Sequence, residues 1–473
     1  MDIEKLNEFC WRIEKQGQML VPAMVFSSDK LIGKVREDRT LQQLANVACL
    51  KGIVKHAMAM PDAHEGYGFP IGGVAAFDLE EGVISPGGVG YDINCSVRLL
   101  RTDFDAKQIE SKKRELVARI FSEVPAGVGK KGVTRLTREV LADVVEKGAP
   151  WAVKQGYGYR EDADYIEEHG CMETADFSAI SERAISRGMP QLGSLGSGNH
   201  FLEIQRVDRI FDEEAAKAFG IENEGQVTVM IHCGSRGLGH QVASDYIRAM
   251  EDKYGFKNLP DRELVNAPIN SELGQRYYKA MSGAANFAFA NKQMITHWVR
   301  KCFEEIMGNS ENMKVVYDVC HNIAKMEELR VDGEKRRLCV HRKGATRSFG
   351  PSREELPEKY QGIGQPVLIP GSMGTASYVL AGTDRAEGIS LASTAHGAGR
   401  TASRSEALRT VRGEAVVRGL MDKGILVKGA SWKGIAEEAP QFYKDVDEVV
   451  RVSDAVGIGR LVARVVPIGV MKG

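Results

Sequence analysis

Residues 227–237 read VTVMIHCGSRG, a short strand-forming run that stops abruptly at a histidine, a cysteine and a glycine-rich turn. The same texture recurs. VVYDVC (315–320) runs into His321 and Asn322, GISLAST (388–394) runs into AHGAGR, and the turn GSLGSGNH (193–200) precedes the strand-like FLEIQRV. Four histidines, His200, His232, His321 and His396, therefore sit at strand borders beside glycines. In α/β proteins a sheet fixes the strand end while the loop leaving it gathers polar groups around a ligand. Helical and strand patterns alternate irregularly, with no tandem repeat and no long linker. The expected fold class is therefore α/β, with one large mixed α/β catalytic domain over residues 1–473 rather than two modules.

Outward from these strands, residues 52–100 are short β-prone runs broken by glycine, a loop-rich texture. Leu6, Phe9 and Ile13 recur at helical spacing and predict a helix over residues 1–20. Residues 106–146 read as helical and polar on one side. Residues 272–307 form the longest helical pattern, with a break expected at the Ser-Gly pair near 282.

The composition narrows the class. A chain of 473 residues can bury a large core, and its 43% apolar and 27% charged fractions are close to soluble averages. No apolar run approaches the roughly 20 residues that span a bilayer, and the charged N-terminus lacks a hydrophobic signal core, which points to a soluble, cytoplasmic protein with no membrane contact. The eight cysteines form no CxxC pair, against both a zinc ribbon and a disulfide scaffold. A net charge of -1 gives no bulk attraction to nucleic acid and leaves only a local basic groove.

Asp92 and Cys95, in DINC, place a carboxylate and a thiol at i and i+3, which meet one ion if the chain turns there. With His200, His232 and His321 they form a mixed O, N and S set suited to zinc or another borderline divalent ion. The plain alternative is a small buried cysteine and an aspartate turn cap. If FLEIQRV is a strand, His200 and Glu203 point to opposite faces unless the strand starts late, so Glu203 and Asn199 are placed as substrate or supporting contacts, with a solvated strand face as the alternative for Glu203. Arg236 in HCGSRG, Arg187 in ISRG, Lys343 and Arg347 in HRKGATR, and Arg400 and Arg404 each adjoin glycines or a histidine, a pattern that favours phosphate recognition. PGSMGTASYVL (370–380) has the texture of a phosphate-cradling turn without the P-loop signature. For His396, metal ligand, acid/base or nucleophile, and structural hydrogen-bonding residue all remain open.

Taken together, PDAHEGYGFPIG (61–72), GGVGYDINCSVR (87–98), LGSLGSGNHFLE (192–203), HCGSRGLGH (232–240), CHN (320–322), PGSMGTASYVL and AHGAGR (395–400) resemble, in order and across nearly the whole chain, the RtcB family of GTP-dependent RNA ligases. The resemblance implies a mixed α/β fold with a deep metal-binding cleft. It also implies an enzyme that joins RNA 2′,3′-cyclic phosphate or 3′-phosphate ends to 5′-hydroxyl ends with GTP and manganese. Its substrates would be tRNA halves or damaged RNA, and some family members use an archease-type activator. By the same resemblance Asp92, Cys95, His200, His232 and His321 hold two Mn2+ ions, with Cys95 able to bridge, and His396 is the guanylylated nucleophile. Asn199, Glu203, Asn322, Ser377, Arg400, Tyr443 and Lys472 match nucleotide contacts. Arg187, Arg236, Lys343 and Arg404 match phosphate-holding residues, and Asp62 lies in the RNA-end region. A metal-dependent phosphoesterase and a noncatalytic RNA-binding scaffold are the rival readings.

Overall fold

Two sheets carry the architecture in the computed structural model, which describes residues 1–127, 129–132 and 136–473. The first has seven strands in the spatial order Glu4–Lys5, Cys10–Ile13, Ala23–Phe26, Ile53–His64, Ile71–Asp78, Glu334–Lys343 and Asn322–Val331. Its neighbours are antiparallel except that Ala23–Phe26 runs parallel to Ile53–His64. The second orders Lys314–Cys320, Ser96–Asp105, Gln226–Cys233, Phe201–Ile210, Arg460–Lys472, Ser377–Ala381 and Pro366–Ile369, and Leu426–Gly429 joins it parallel to Arg460–Lys472.

The sheets share a core. Val54, Met58, Val74 and Val340 from the first meet Val97, Leu99, Met230 and Val319 from the second. Their outer faces are covered by one long helix, Glu272–Met307, of 36 residues. At 1.5 Å per residue it runs about 54 Å, far enough to serve both sheets. Tyr277, Met281 and Phe287 in its first half pack near Ala59, Ala75 and Phe77, while Ile295, Val299 and Phe303 pack against Leu100, Val229 and Ile231. Each large apolar side chain buried this way contributes roughly 1.5–3 kcal/mol. Every residue of Gln226–Cys233 is buried. That is why VTVMI reads as a continuous apolar run rather than an alternation.

Four expectations about local structure are answered differently or in part. Residues 1–20 form no helix: Cys10–Ile13 pairs with Ala23–Phe26, burying Trp11 and Ile13 in strand alternation while Leu6 stays 42% exposed. Pairing with a neighbouring strand overrides the helical spacing. The long helix is unbroken at Ser282–Gly283. A methyl group on Gly283 would press on Val145 and Ile180, so the glycine permits close packing there rather than a hinge. GISLAST splits: Gly388–Ser390 ends the helix Asp384–Ser390, Leu391 and Ala392 take left-handed φ values of 55° and 48°, and the strand is only Ser393–Ala395. Residues 106–146 form three helices, Ala106–Ile109, Lys113–Glu123 and the beginning of Arg138–Lys154; residues 128 and 133–135 of that run lie outside the described residues. No helix among the described residues is long and apolar enough to cross a membrane.

Candidate functional site

Sheet register brings the sequence-distant ligand candidates together. In the second sheet Ser96 pairs with both Cys320 and Cys233, and His232 pairs with both Val97 and Phe201. Cys95, His200, His232 and His321 each lie within one residue of those pairs, so four adjacent strands deliver one side chain apiece to the same edge. The DINC turn closes through the Cys95 amide donating to the Asp92 carbonyl at 3.0 Å. Asn94 takes the left-handed conformation there (φ 51°), which asparagine tolerates, and its side-chain amide donates to the Ala285 carbonyl of the long helix at 2.8 Å.

The resulting cluster is tight. Cys95 Sγ lies 3.1 Å from His232 Nε2 and 3.4 Å from His200 Nε2. His232 and His321 face each other through their Nε2 atoms at 3.2 Å, and His200 Nε2 lies 2.7 Å from the Asp92 carboxylate. Two triads result, Cys95–His232–His321 and Asp92–Cys95–His200, each with its ligand atoms within 4.8 Å of one another. Cys95 belongs to both. The set fits divalent cations on donor chemistry: imidazole, thiolate and carboxylate suit borderline metals. Burial drives His232 and His321 well below the usual imidazole pKa, so both are neutral, and it pushes the Cys95 thiol up to about 12. A bound cation would convert that thiol into a thiolate ligand. His200 Nδ1 donates to the Leu195 carbonyl at 3.1 Å, which fixes its ring and aims Nε2 at the cluster.

His396 stands beside this cluster, its ring centroid 4.8 Å from that of His321. It follows the short strand Ser393–Ala395, which pairs with Ala345–Arg347. Buried Asp62 holds it from three sides: Oδ2 accepts from His396 Nδ1 at 2.5 Å, from the His396 amide at 3.1 Å and from the Gly397 amide at 3.3 Å. Gly399, at φ 75°, lets the loop close over the Asp62 backbone. With Nδ1 so occupied, Nε2 is the ring nitrogen left for chemistry.

These groups open into a cleft of about 1030 Å³. Among the sequence-derived candidates, Asp92, Cys95, Asn199, His232, His321, Asn322, Lys343, His396, Arg400, Arg404, Tyr443 and Lys472 line it. Asn322 is set by two bonds, donating to the Asp92 carbonyl at 3.1 Å and accepting from the Gly344 amide at 2.9 Å. Lys343 donates to the Phe69 carbonyl at 3.2 Å, and burial pushes its ammonium down to about 7. Glu203 is buried, not on a solvated face: its carboxylate accepts from Gln205 at 2.8 Å, and burial pushes it up to about 7 against the pull of Gln205 and Lys472. His200 is on the approach, since the strand begins only at Phe201. The Ser377 hydroxyl accepts from the Gly371 amide at 3.1 Å, tying down the PGSMG turn.

Other arginines are differently placed. Arg187 donates to Gln241 at 2.9 Å and Arg236, at φ 55°, opens the helix Arg236–Tyr254 with its guanidinium near Gly196; neither lines the cleft. Arg347 is a correction: it is buried against Glu167 at 3.3 Å and Glu168 at 3.0 Å and bonded to Gln365, so its charge is spent inside the fold. Arg400 is committed to the cleft wall, donating to Glu438, Tyr443 and the carbonyls of Ala402 and Glu437.

Two cleft residues were missed from sequence. Glu438 is buried and gathers Arg400 at 3.3 Å, Arg404 at 2.9 Å, Lys472 at 3.9 Å and the Tyr443 hydroxyl. Burial opposes its charge, yet Lys472 and the arginines hold its carboxyl below the usual range. Lys444 donates to the Ala63 carbonyl, and burial pushes it down to about 8. No local pattern marks either one: Glu438 stands in an ordinary acidic pair, Glu437–Glu438, and its importance comes from the cations that other segments bring to it.

The family model described as RtcB, tRNA-splicing ligase RtcB, matches residues 43–473. A protein of Thermococcus kodakarensis named tRNA-splicing ligase RtcB is 56% identical over 478 residues, covering 100% of this chain and 99% of the relative. Similarly named proteins of Nanoarchaeum equitans and Aeropyrum pernix are each 53% identical, covering 100% and 99% of this chain and 100% and 99% of themselves.

Proposed function

Because the chain belongs to the RtcB family, we propose that it is a GTP-dependent RNA ligase joining 2′,3′-cyclic phosphate or 3′-phosphate ends to 5′-hydroxyl ends. The observation that carries this reading is His396: a histidine with Nδ1 pinned by a buried carboxylate, beside a cluster of metal-type ligands, in a cleft of nucleotide size. A covalent nucleotide carrier needs a ring nitrogen held in this way at the edge of the metal-type cluster.

His396 Nε2 attacks the α-phosphorus of GTP, an N–P bond forms and pyrophosphate leaves. Asp62 keeps the proton on Nδ1 and offsets the positive charge that the ring gains. A cyclic RNA end is first opened by water to a 3′-phosphate. An oxygen of that phosphate attacks the histidine-bound phosphorus, breaks the N–P bond and yields an RNA-ppG end. The 5′-hydroxyl of the second RNA then attacks the 3′-phosphorus and expels GMP, a better leaving group than a phosphate monoester oxygen. Asp92, Cys95, His200, His232 and His321 would hold manganese, which would supply Lewis-acid neutralisation of phosphoryl charge and activate water. Glu203, Ser377, Tyr443 and Lys472, with Asn199 and Asn322, hold the nucleotide. Arg400 shapes its wall through Glu438, and Lys343 and Arg404 face the phosphates in the cleft while Arg187 and Arg236 act on RNA outside it.

Incubation of the protein with α-labelled GTP, manganese, a 3′-phosphate RNA and a 5′-hydroxyl RNA tests this. The expected outcome is label on the protein, lost in His396→Ala, together with a joined RNA. RNA-end hydrolysis with no label and no joined product would replace ligation with the phosphoesterase reading. RNA binding without either reaction would leave a scaffold.

A further inference from the structure

Trp432 is 54% exposed, more than any other large apolar side chain among the described residues, while Trp11 and Trp151 are buried and Trp298 is partly so. It opens the helix Trp432–Glu437 with Ser431 as cap, and this helix packs with Arg404–Thr410 and Gly413–Met421 into a small lobe. The lobe has a core of its own, built from Ala407, Val416, Leu420, Ile435 and Phe442 with Met373. An indole left in water beside a core of smaller residues needs a reason.

Its surroundings supply one. Residues 404–433 carry seven Lys or Arg against three Asp or Glu, in a chain whose net charge is -1. Lys428, Lys433, Arg409 and Arg412 are all exposed there, and the Trp432 carbonyl lies against Gly413, next to Arg412. The lobe also touches the cleft. Arg404, from its first helix, lines the cleft and reaches Gly198, two residues from His200. The backbone of Gly434 approaches the C-terminal Gly473, which packs on Gly196 and Ser197, and Ala430 abuts Gly127 with Lys130 beside it. Cations and one exposed aromatic ring thus follow each other outward from the mouth of the site.

We propose that this face is a binding platform for single-stranded RNA, on which a base of the strand entering the cleft stacks against Trp432 while Lys433, Lys130 and Arg412 hold its phosphates. The proposal rests on the RNA-joining reading and adds to it where the strand leaves the cleft. Charge complementarity selects the occupant: Leu408 and Met421 of the lobe are exposed as well, but seven Lys or Arg against three Asp or Glu around an exposed indole suit a polyanion with π faces.

Trp432 reports on its own contact. Titration of a single-stranded 3′-phosphate RNA long enough to reach beyond the cleft is expected to quench tryptophan fluorescence in the wild type. Trp432→Ala should lose that quench and bind this RNA about tenfold more weakly, the effect of one lost base stack, while Trp432→Phe retains most affinity. Lys433→Gln should lower the salt dependence of binding by about one counterion. Guanylylation by GTP alone should match the wild type in all three, which also shows that they fold. Unchanged affinity and quench in Trp432→Ala would overturn the platform, as would equal quenching by a blunt RNA duplex or a Trp432 effect seen only with an added protein. Failure of the wild type to take label from GTP would instead remove the ligase reading, leaving the quench to stand or fall separately.

Discussion

Asp62 is the residue that fixes His396, because one of its oxygens takes three N–H donors from His396 and Gly397. Asp62→Asn keeps the size but presents an amide that cannot accept all three and frees the imidazole to change tautomer. The rate of label transfer from GTP to His396 is expected to fall by about 10²–10⁴-fold, the usual range for a positioned proton-handling group, with the unfolding midpoint nearly unchanged; transfer at the wild-type rate would remove Asp62 from the mechanism. Glu203 makes a prediction in pH. Burial raises its carboxyl to about 7, so between the unfolded value near 4.3 and 7 the folded protein binds more protons than the unfolded chain. Stability therefore falls as pH rises through that window. Glu203→Gln removes the titration, and at about 1.36 kcal/mol per unit the variant should gain on the order of 3 kcal/mol relative to wild type between pH 4 and pH 8. GTP labelling should run the other way, rising through pH 7 in the wild type, where the ionised carboxylate can accept from the base, and staying low and flat in the variant.

Among the elements, the long helix shows what glycine means once its packing is known. Gly283 lies against Val145 of the helix Arg138–Lys154 and against Ile180, and an added methyl would meet them at 2.7 Å and 3.1 Å. Gly33, in the exposed part of Asp29–Glu37, has nothing within 4 Å of that position. Alanine at either site gains up to about 1 kcal/mol of helix propensity, but at Gly283 overpacking costs roughly 1–3 kcal/mol. Gly33→Ala should raise the midpoint of chemical unfolding and Gly283→Ala should lower it; the same sign at both would mean that Gly283 is not closely packed against Val145 and Ile180. This contrast also explains which elements were legible in the sequence. The strand ending at His232 and the helical run 272–307 were readable because burial on two faces, or on a long stripe, leaves its own pattern. The break at Ser282 and the helix over residues 1–20 were misread because a glycine spacing and three apolar residues do not say whether a neighbour is there, and the neighbours, Val145 in one case and Ala23–Phe26 in the other, come from elsewhere in the chain.

At the scale of the whole molecule, the legible and illegible parts of the site separate by the same logic. Asp92, Cys95 and the four histidines were marked as candidates by type and position, with a buried cysteine and a turn cap as the plain alternative for the first two and the role of His396 left open. Glu438, Lys444 and the lobe around Trp432 were not, because an acidic pair, a lysine and a tryptophan acquire meaning only from what the fold sets beside them. What no residue type could reveal is that four neighbouring strands converge on one cluster, and that has a thermodynamic consequence. A cation held there would tie together strands joined by the register Cys320–Ser96–Cys233 and His232–Phe201, so its binding free energy would add to the stability of the central sheet rather than of a loop. Ligand that binds only the folded state stabilises it by about 2.7 kcal/mol at one hundred times its Kd. Manganese should therefore raise the unfolding midpoint of the whole cooperative transition, and a chelator should reverse the rise. His321→Ala, which breaks one triad, should lose most of it, whereas Arg404→Gln, on the cleft wall away from the cluster, should keep it. A midpoint indifferent to manganese in the wild type would show that the four strands are brought together by packing alone and that the cluster is not a metal centre.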